Sequence, residues 1–250
     1  MTAPLAPVTP GHLQRFREDG FFILDAVVAP QDLHMLRGEA QQLLSRRDAE
    51  MDRLGTDRLG LDHRGRRYFI PAYHDSPAAR QFLVSGLMAR IAAAVLGPAA
   101  WLFNEQYVIK AAEHGMRFSW HQDSGFIDYP HQPYLSCWIT LDDVSEANGT
   151  VYLLPYPRAG TRQVVSHTRD ERTGDLVGYT GEDPGEPVIA PAGSIACFSS
   201  TTLHRSGPNT TNQLRRVYLA QYSAQPILTQ DGTRPRHLAE PMPAPEASAP

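Results

Sequence analysis

The chain predicts a mainly β fold, two facing sheets with helices packed outside them. Three observations point there. The first hundred residues read mostly as helices, with start and stop signals at Thr9-Pro10, Ser76-Pro77 and Gly97-Pro98. After residue 100 the texture changes to short runs rich in β-branched and aromatic residues. Turn signals such as Asn148-Gly149 and Ala192-Gly193 punctuate those runs. A helical lead-in followed by many short strands suits a layered β fold.

Taken in order, Thr9 and Pro10 supply an N-cap and a first-turn proline for a short helix ending at Gly20. Phe21-Phe22-Ile23-Leu24 follows as a strand. Pro30 starts a longer helix whose apolar face carries Leu33, Leu36, Ala40 and Leu43. A third helix is expected from Ser76-Pro77 to Gly97-Pro98. Strands are then expected at 101–110, 117–121, 134–142, 150–154, 163–167, 187–190, 194–199 and 214–223.

A chain of 250 residues, 42% of them apolar, holds enough material for one sizeable core. A single folded unit over 9–228 is expected. Residues 1–8 read as a flexible N-terminus and 229–250 as a Pro/Ala-rich tail. The net charge of −4 argues against a nucleic-acid partner. Cys137 and Cys197 lie in apolar strand-like runs and read as reduced core cysteines. The N-terminus lacks a basic start and a long apolar run, and the apolar stretch Leu87–Leu96 is too short to span a bilayer. A cytoplasmic enzyme with no membrane partner is expected, and no oligomeric state follows.

The chemistry concentrates in Trp120-His121-Gln122-Asp123. Residues i and i+2 of a strand share a face, so His121 and Asp123 are expected to project side by side. His204 lies in a polar loop after the run Ile195-Ala196-Cys197-Phe198, where it could close a ligand set. Two imidazoles and one carboxylate with open positions are the arrangement of non-heme Fe(II) oxygenases. Arg215, eleven residues on, could return to the cavity and clamp a carboxylate by a two-point pair. Arg216 alternates with it and should face away, into a structural salt bridge. Two other classes use the same triplet: a non-catalytic metal-binding β-fold, and a zinc-dependent hydrolase with Glu105 or Asp128 as general base.

Several stretches together resemble the phytanoyl-CoA dioxygenase family of Fe(II)/2-oxoglutarate-dependent oxygenases. They are Trp120-His121-Gln122-Asp123, the run Leu135 to Asp143, Asn148-Gly149-Thr150, the His204 to Arg215 spacing and Phe16-Arg17-Glu18-Asp19-Gly20-Phe21. The resemblance covers roughly residues 10–225. It implies a double-stranded β-helix, the jelly roll of cupin-like proteins, and use of Fe(II), 2-oxoglutarate as cosubstrate, and O2. It implies that His121, Asp123 and His204 ligate iron, that Arg215 binds the distal carboxylate of 2-oxoglutarate with help from Ser206, and that Trp138 and Gln106 line the cosubstrate pocket. Related halogenases lack the carboxylate, so Asp123 implies hydroxylation or a kindred oxidation, such as desaturation or ring closure, of a small-molecule substrate; a place in specialised metabolite biosynthesis, rather than primary catabolism, is expected. One departure is local: Leu154-Pro155-Tyr156-Pro157-Arg158 stands where relatives often have Pro-Gly-Ser-His. For the substrate itself, Phe126 and Tyr129 follow the ligands, and Arg66 and Arg67 lie in an Arg-rich connection. The long segment 156–187 is a candidate lid.

Overall fold

A computed structural model of the chain describes residues 7–244. Most of the expected N-terminal segment therefore lies outside the described residues. Helix α1 (Pro10–Asp19) begins as expected: Thr9 accepts from the His12 backbone, and the His12 ring accepts from the Thr9 backbone. Gly20 ends it at φ 91, a left-handed conformation that favours glycine. Strand β1 (Phe21–Leu24) leads to α2 (Pro30–Leu54), which buries Leu33, Leu36, Ala40 and Leu43. The short strands β2 (Arg58–Leu59), β3 (Asp62–His63) and β4 (Arg67–Ile70) follow. The single helix expected over 76–97 divides into α3 (Pro77–Leu83) and α4 (Gly86–Leu96), bent by 41°. The cause is Ser85, whose hydroxyl caps the second helix by accepting from the Met88 backbone. No single helix among the described residues is long and apolar enough to cross a membrane.

The β region opens with β5 (Trp101–Lys110), β6 (Phe118–His121), β7 (Leu135–Thr140) and β8 (Val151–Leu153). A four-residue helix, α5 (Tyr156–Ala159), stands at the departure noted above. Then come β9 (Thr168–Arg169), β10 (Leu176–Val177), β11 (Glu186–Pro187), β12 (Ile195–Ser199), β13 (His204–Ser206), β14 (Arg215–Ser223) and β15 (Glu240–Pro241). The main sheet has the order β1-β12-β7-β14-β5-β4-β3-β2, with β15 on the edge of β5. The facing sheet has the order β11-β8-β13-β6. Together they make an antiparallel double-sheet fold of the jelly-roll kind expected, with the helices outside.

Alternation along the central strands separates two environments. Tyr218, Ala220 and Tyr222 of β14, Cys137 and Ile139 of β7, and Tyr107 and Ile109 of β5 join the core under the helices. Their neighbours Arg215, Leu219 and Gln221, with Trp138, Gln106 and Lys110, face a cavity between the sheets. Cys137 and Cys197 pair in register between β7 and β12, buried and not disulfide-bonded. Arg216 turns away from the cavity and holds Asp142 through two contacts of 2.9 and 2.7 Å. Leu36 is fully buried at the centre of the helix-side core, where truncation to alanine would cost about 2–5 kcal/mol.

Two further expectations fail. Residues 163–167 form no strand, because their backbone bonds a side chain instead of a ladder: Gln122 donates to Gln163 O and accepts from Val165 N. The 229–250 tail is not separate from the fold up to residue 244. Glu240 and Pro241 pair with β5, Leu238 donates to Phe103 O, and Met242 is buried against the helices. The prolines that suggested a tail are tolerated because this is a sheet edge, where a missing N–H costs no ladder bond.

Candidate active site

His121 is the last residue of β6, and His204 is the first of β13 directly opposite it in register. Asp123 is not on the strand. It opens a short 3-10 turn, Asp123–Phe126. Side-by-side projection is therefore achieved by a turn rather than by strand alternation. His121, Asp123 and His204 are buried, and one donor atom from each lies within 4.8 Å of the others. His204 Nε2 is 3.6 Å and His121 Nε2 is 3.9 Å from Asp123 Oδ1.

The surroundings orient each donor. His121 Nδ1 is 2.7 Å from Ser119 O, and His204 Nδ1 is 3.0 Å from Thr202 O. A carbonyl only accepts, so each Nδ1 carries the proton and each Nε2 presents a lone pair to the centre. Burial, with His204 beside it, pushes His121 well below its ordinary pKa of 6.5, which keeps the ring neutral as a ligand must be. Asp123 Oδ2 accepts from Ser136 Oγ at 2.5 Å and from Gln221 Nε2 at 2.9 Å, leaving Oδ1 toward the histidines. Two imidazole nitrogens and one carboxylate oxygen fit iron(II), with room for further ligands on the cavity side.

Gln122, fully buried between the two ligands, ties the neighbouring segments down. Its amide donates to Gln163 O and Thr201 O, and its backbone N–H donates to His167 Nε2 at 3.0 Å. The His167 ring packs on Gly125 so closely that a Cβ there would lie 2.5 Å from it. The 156–187 segment is thus stitched to the ligand turn at His167 and Gln163.

The triad opens into a cavity of about 450 Å³. Gln106, Trp138, Ser206, Arg215 and Phe126 all line it. Arg215 is buried in the sheet. Its Nη1 donates to Val108 O at 3.3 Å and its guanidinium lies 5.5 Å from the Trp138 ring centre. Its Nε is closed off from solvent without a hydrogen-bond partner, and burial lowers its pKa to about 10. An unpaired buried guanidinium N–H costs free energy until an acceptor arrives. Beside it, Lys110 donates to Ser206 Oγ at 2.7 Å and to Gly207 O; burial, then Arg215 and Arg67, push its pKa well down. This end of the cavity suits a carboxylate.

Two expected substrate residues, Arg66 and Tyr129, lie off the cavity, and a third, Arg67, is held by other groups. Arg66 is exposed and lines a separate surface groove, because it stands in the turn that precedes β4. Arg67 does line the cavity but is consumed structurally: it pairs with buried Asp175 at 2.9 Å and donates to Leu61 O, Arg117 O and Thr173 O. Tyr129 lies off the cavity lining, its hydroxyl donating to Leu228 O at 2.6 Å. Glu105 faces the helices, where it accepts from Ala72 N, Tyr73 N and Tyr218 OH. Asp128 is exposed. The hydrolase alternative therefore has neither of its suggested bases at the triad. Ser136, Gln221, Lys110 and Arg236 were missed. The first three alternate inward on strands already assigned, which was a usable signal; Arg236 lay in the supposed tail.

Comparison with known proteins agrees with this geometry. The model of the phytanoyl-CoA dioxygenase (PhyH) family matches residues 16–217. The chain belongs to that family. A probable alpha-ketoglutarate-dependent hypophosphite dioxygenase of Stutzerimonas stutzeri is 34% identical over 119 residues. That match spans 44% of this chain and only 41% of the relative's length. An ectoine dioxygenase of Stutzerimonas stutzeri (strain A1501) is 23% identical over 94% of this chain and 85% of its own. Among solved structures, the non-heme alpha ketoglutarate dependent carbocyclase SnoK from nogalamycin biosynthesis superposes with a TM-score of 0.70 at 16% identity, covering 94% of this chain and 97% of its own. At that identity it supports the shared fold.

Proposed function

We propose that this PhyH-family protein is an Fe(II)- and 2-oxoglutarate-dependent oxygenase that hydroxylates a small-molecule substrate in specialised metabolite biosynthesis. The observation that carries this is one cavity holding a His/Asp/His donor set and a buried arginine that lacks an acceptor. His121, Asp123 and His204 would hold the iron. Arg215 and Ser206 would bind the distal carboxylate of 2-oxoglutarate, with Trp138 and Gln106 along its length. Iron(II) bound there would supply oxidation of the substrate by O2, coupled to decarboxylation of 2-oxoglutarate to succinate and CO2.

The chain's own contribution is geometric and electrostatic. Ser136 and Gln221 fix the Asp123 rotamer, and the Ser119 and Thr202 carbonyls fix both ring orientations. Phe118, Phe126 and Phe198 pack around the two histidines and limit water there. Retention of Asp123 favours hydroxylation over halide transfer. The biosynthetic role takes its support from the fold shared with SnoK. The test is succinate release and O2 consumption by the purified protein with Fe(II) and 2-oxoglutarate. Release stimulated by a small-molecule substrate, with a hydroxylated product, is expected. Absence of 2-oxoglutarate turnover with any metal would remove the assignment.

A further inference from the structure

The cavity is far more cationic than its chemistry so far requires. Arg67, Lys110, Arg169, Arg205, Arg215 and Arg236 line it, against one lining carboxylate, Asp123. Most of these cations are satisfied. Arg67 is paired with Asp175. Arg205 lies 3.7 Å from the Tyr152 ring centre and donates to Pro184 O. Arg169 donates to Gly174 O. Lys110 is bonded at Ser206 and Gly207. Only Arg215 and Arg236 among them carry a solvent-excluded Nε without an acceptor.

These two arginines stand at opposite ends of β5. Arg215 pairs in register with Lys110, whereas Asn104 pairs with Gln221, the residue that holds Asp123. Arg236 sits beside that second end, because Leu238 N bonds Phe103 O and the His237 ring packs on Phe103 at 5.3 Å. Six residue steps of strand separate Lys110 from Asn104, roughly 20 Å. A cosubstrate running from the triad to Arg215 therefore leaves Arg236 free.

Arg236 is also aimed at the site. Its Nη2 donates to Phe126 O at 2.7 Å, the last residue of the turn that Asp123 opens, and its Nη1 makes a long contact of 3.4 Å to Tyr129 OH. The Tyr129 ring, 5.5 Å away, supports the guanidinium. No acidic side chain pairs with it among the described residues. Three of its five N–H groups remain for a ligand, in the planar fork that matches an oxyanion. Phe103, Phe126, Ile127 and Tyr134 line the space between it and the triad.

We propose that Arg236 is a substrate-binding residue, and that the substrate is a small molecule carrying a carboxylate or phosphonate-type oxyanion on a compact apolar body. The oxyanion docks on Arg236 and the carbon portion reaches toward the triad. This rests on the proposed oxygenase assignment.

The test uses the whole protein with Ni(II) in place of iron and saturating 2-oxoglutarate, which occupies Arg215. Calorimetric titrations with benzoate, phenylphosphonate and neutral benzamide compare probes of like size. At least one anion should bind about ten- to a hundredfold more tightly than benzamide, the value of a charge-assisted hydrogen-bonded pair. Arg236→Gln should erase that preference while 2-oxoglutarate affinity, measured in the same protein, stays unchanged. Arg236→Lys, which keeps the charge but not the fork, should retain part of it. Equal binding of anions and benzamide by the wild type overturns the proposal, as does an anion preference that survives in Arg236→Gln. Failure of the wild type to bind 2-oxoglutarate with metal would instead overturn the oxygenase assignment.

Discussion

Arg215 and Arg236 occupy the two ends of one cavity, and each buries an Nε without an acceptor. Their supports differ. Arg215 stands on β14, a strand paired on both sides within the main sheet, and is itself held in the β5 ladder opposite Lys110. Arg236 stands on the segment after β14, held by a few contacts: its bond to Phe126 O, Arg236 N to Ile227 O and Leu238 N to Phe103 O. A sheet-borne group is fixed by the fold itself, while a segment-borne one can change without disturbing the ladders. On the proposed reading, the cosubstrate clamp stands in the rigid part and the substrate contact on an adjustable wall.

The largest effect should come from the centre that both ends serve. Asp123→Ala should abolish 2-oxoglutarate turnover, read as succinate release; a rate near wild type would remove Asp123 from the ligand set. Next, Arg215→Leu should raise the dissociation constant for 2-oxoglutarate by about ten- to a hundredfold, leaving metal binding intact. If Arg236→Gln did the same, the division of labour between the two arginines would collapse. Gln221→Leu should weaken metal binding by about tenfold, since one of two donors to Asp123 Oδ2 is lost, and a metal titration reads this directly.

A smaller effect concerns pH. His121 stays neutral in the fold because burial and His204 hold its pKa well below 6.5. The unfolded chain takes up that proton as pH falls through about 6.5, the folded chain does not, and stability therefore drops on acidification. The melting temperature of the metal-free protein should fall below that pH, and His121→Gln should fall less steeply; parallel curves would contradict the assignment. Smallest of all, Tyr129→Phe should cost only about 0.5–1.5 kcal/mol of stability through its bond to Leu228 O and leave 2-oxoglutarate affinity unchanged.

The sheet-borne half of this comparison was legible in the sequence. Strands at 101–110, 134–142 and 214–223 were expected and are present, alternation separated Arg216 from Arg215, and the expected triplet of His121, Asp123 and His204 comes together. Asp123 was identified for the wrong geometric reason, since a 3-10 turn and not a strand aims it. What stayed hidden depends on contacts distant in sequence. Asp175 pairs with Arg67 across 108 residues and occupies part of its guanidinium. Gln122 captures the 163–165 backbone, which no local pattern reveals. Proline-rich composition concealed the wall that carries Arg236, because Leu238 and Met242, spaced among polar and small residues, were enough to anchor it.

The most direct measurement is the visible absorption of the protein with Fe(II) and 2-oxoglutarate in the absence of O2. A charge-transfer band is expected that saturates with 2-oxoglutarate, vanishes in Asp123→Ala, and needs more 2-oxoglutarate in Arg215→Leu. No band with the wild type, together with tight binding of zinc and indifference to 2-oxoglutarate, would contradict the oxygenase assignment.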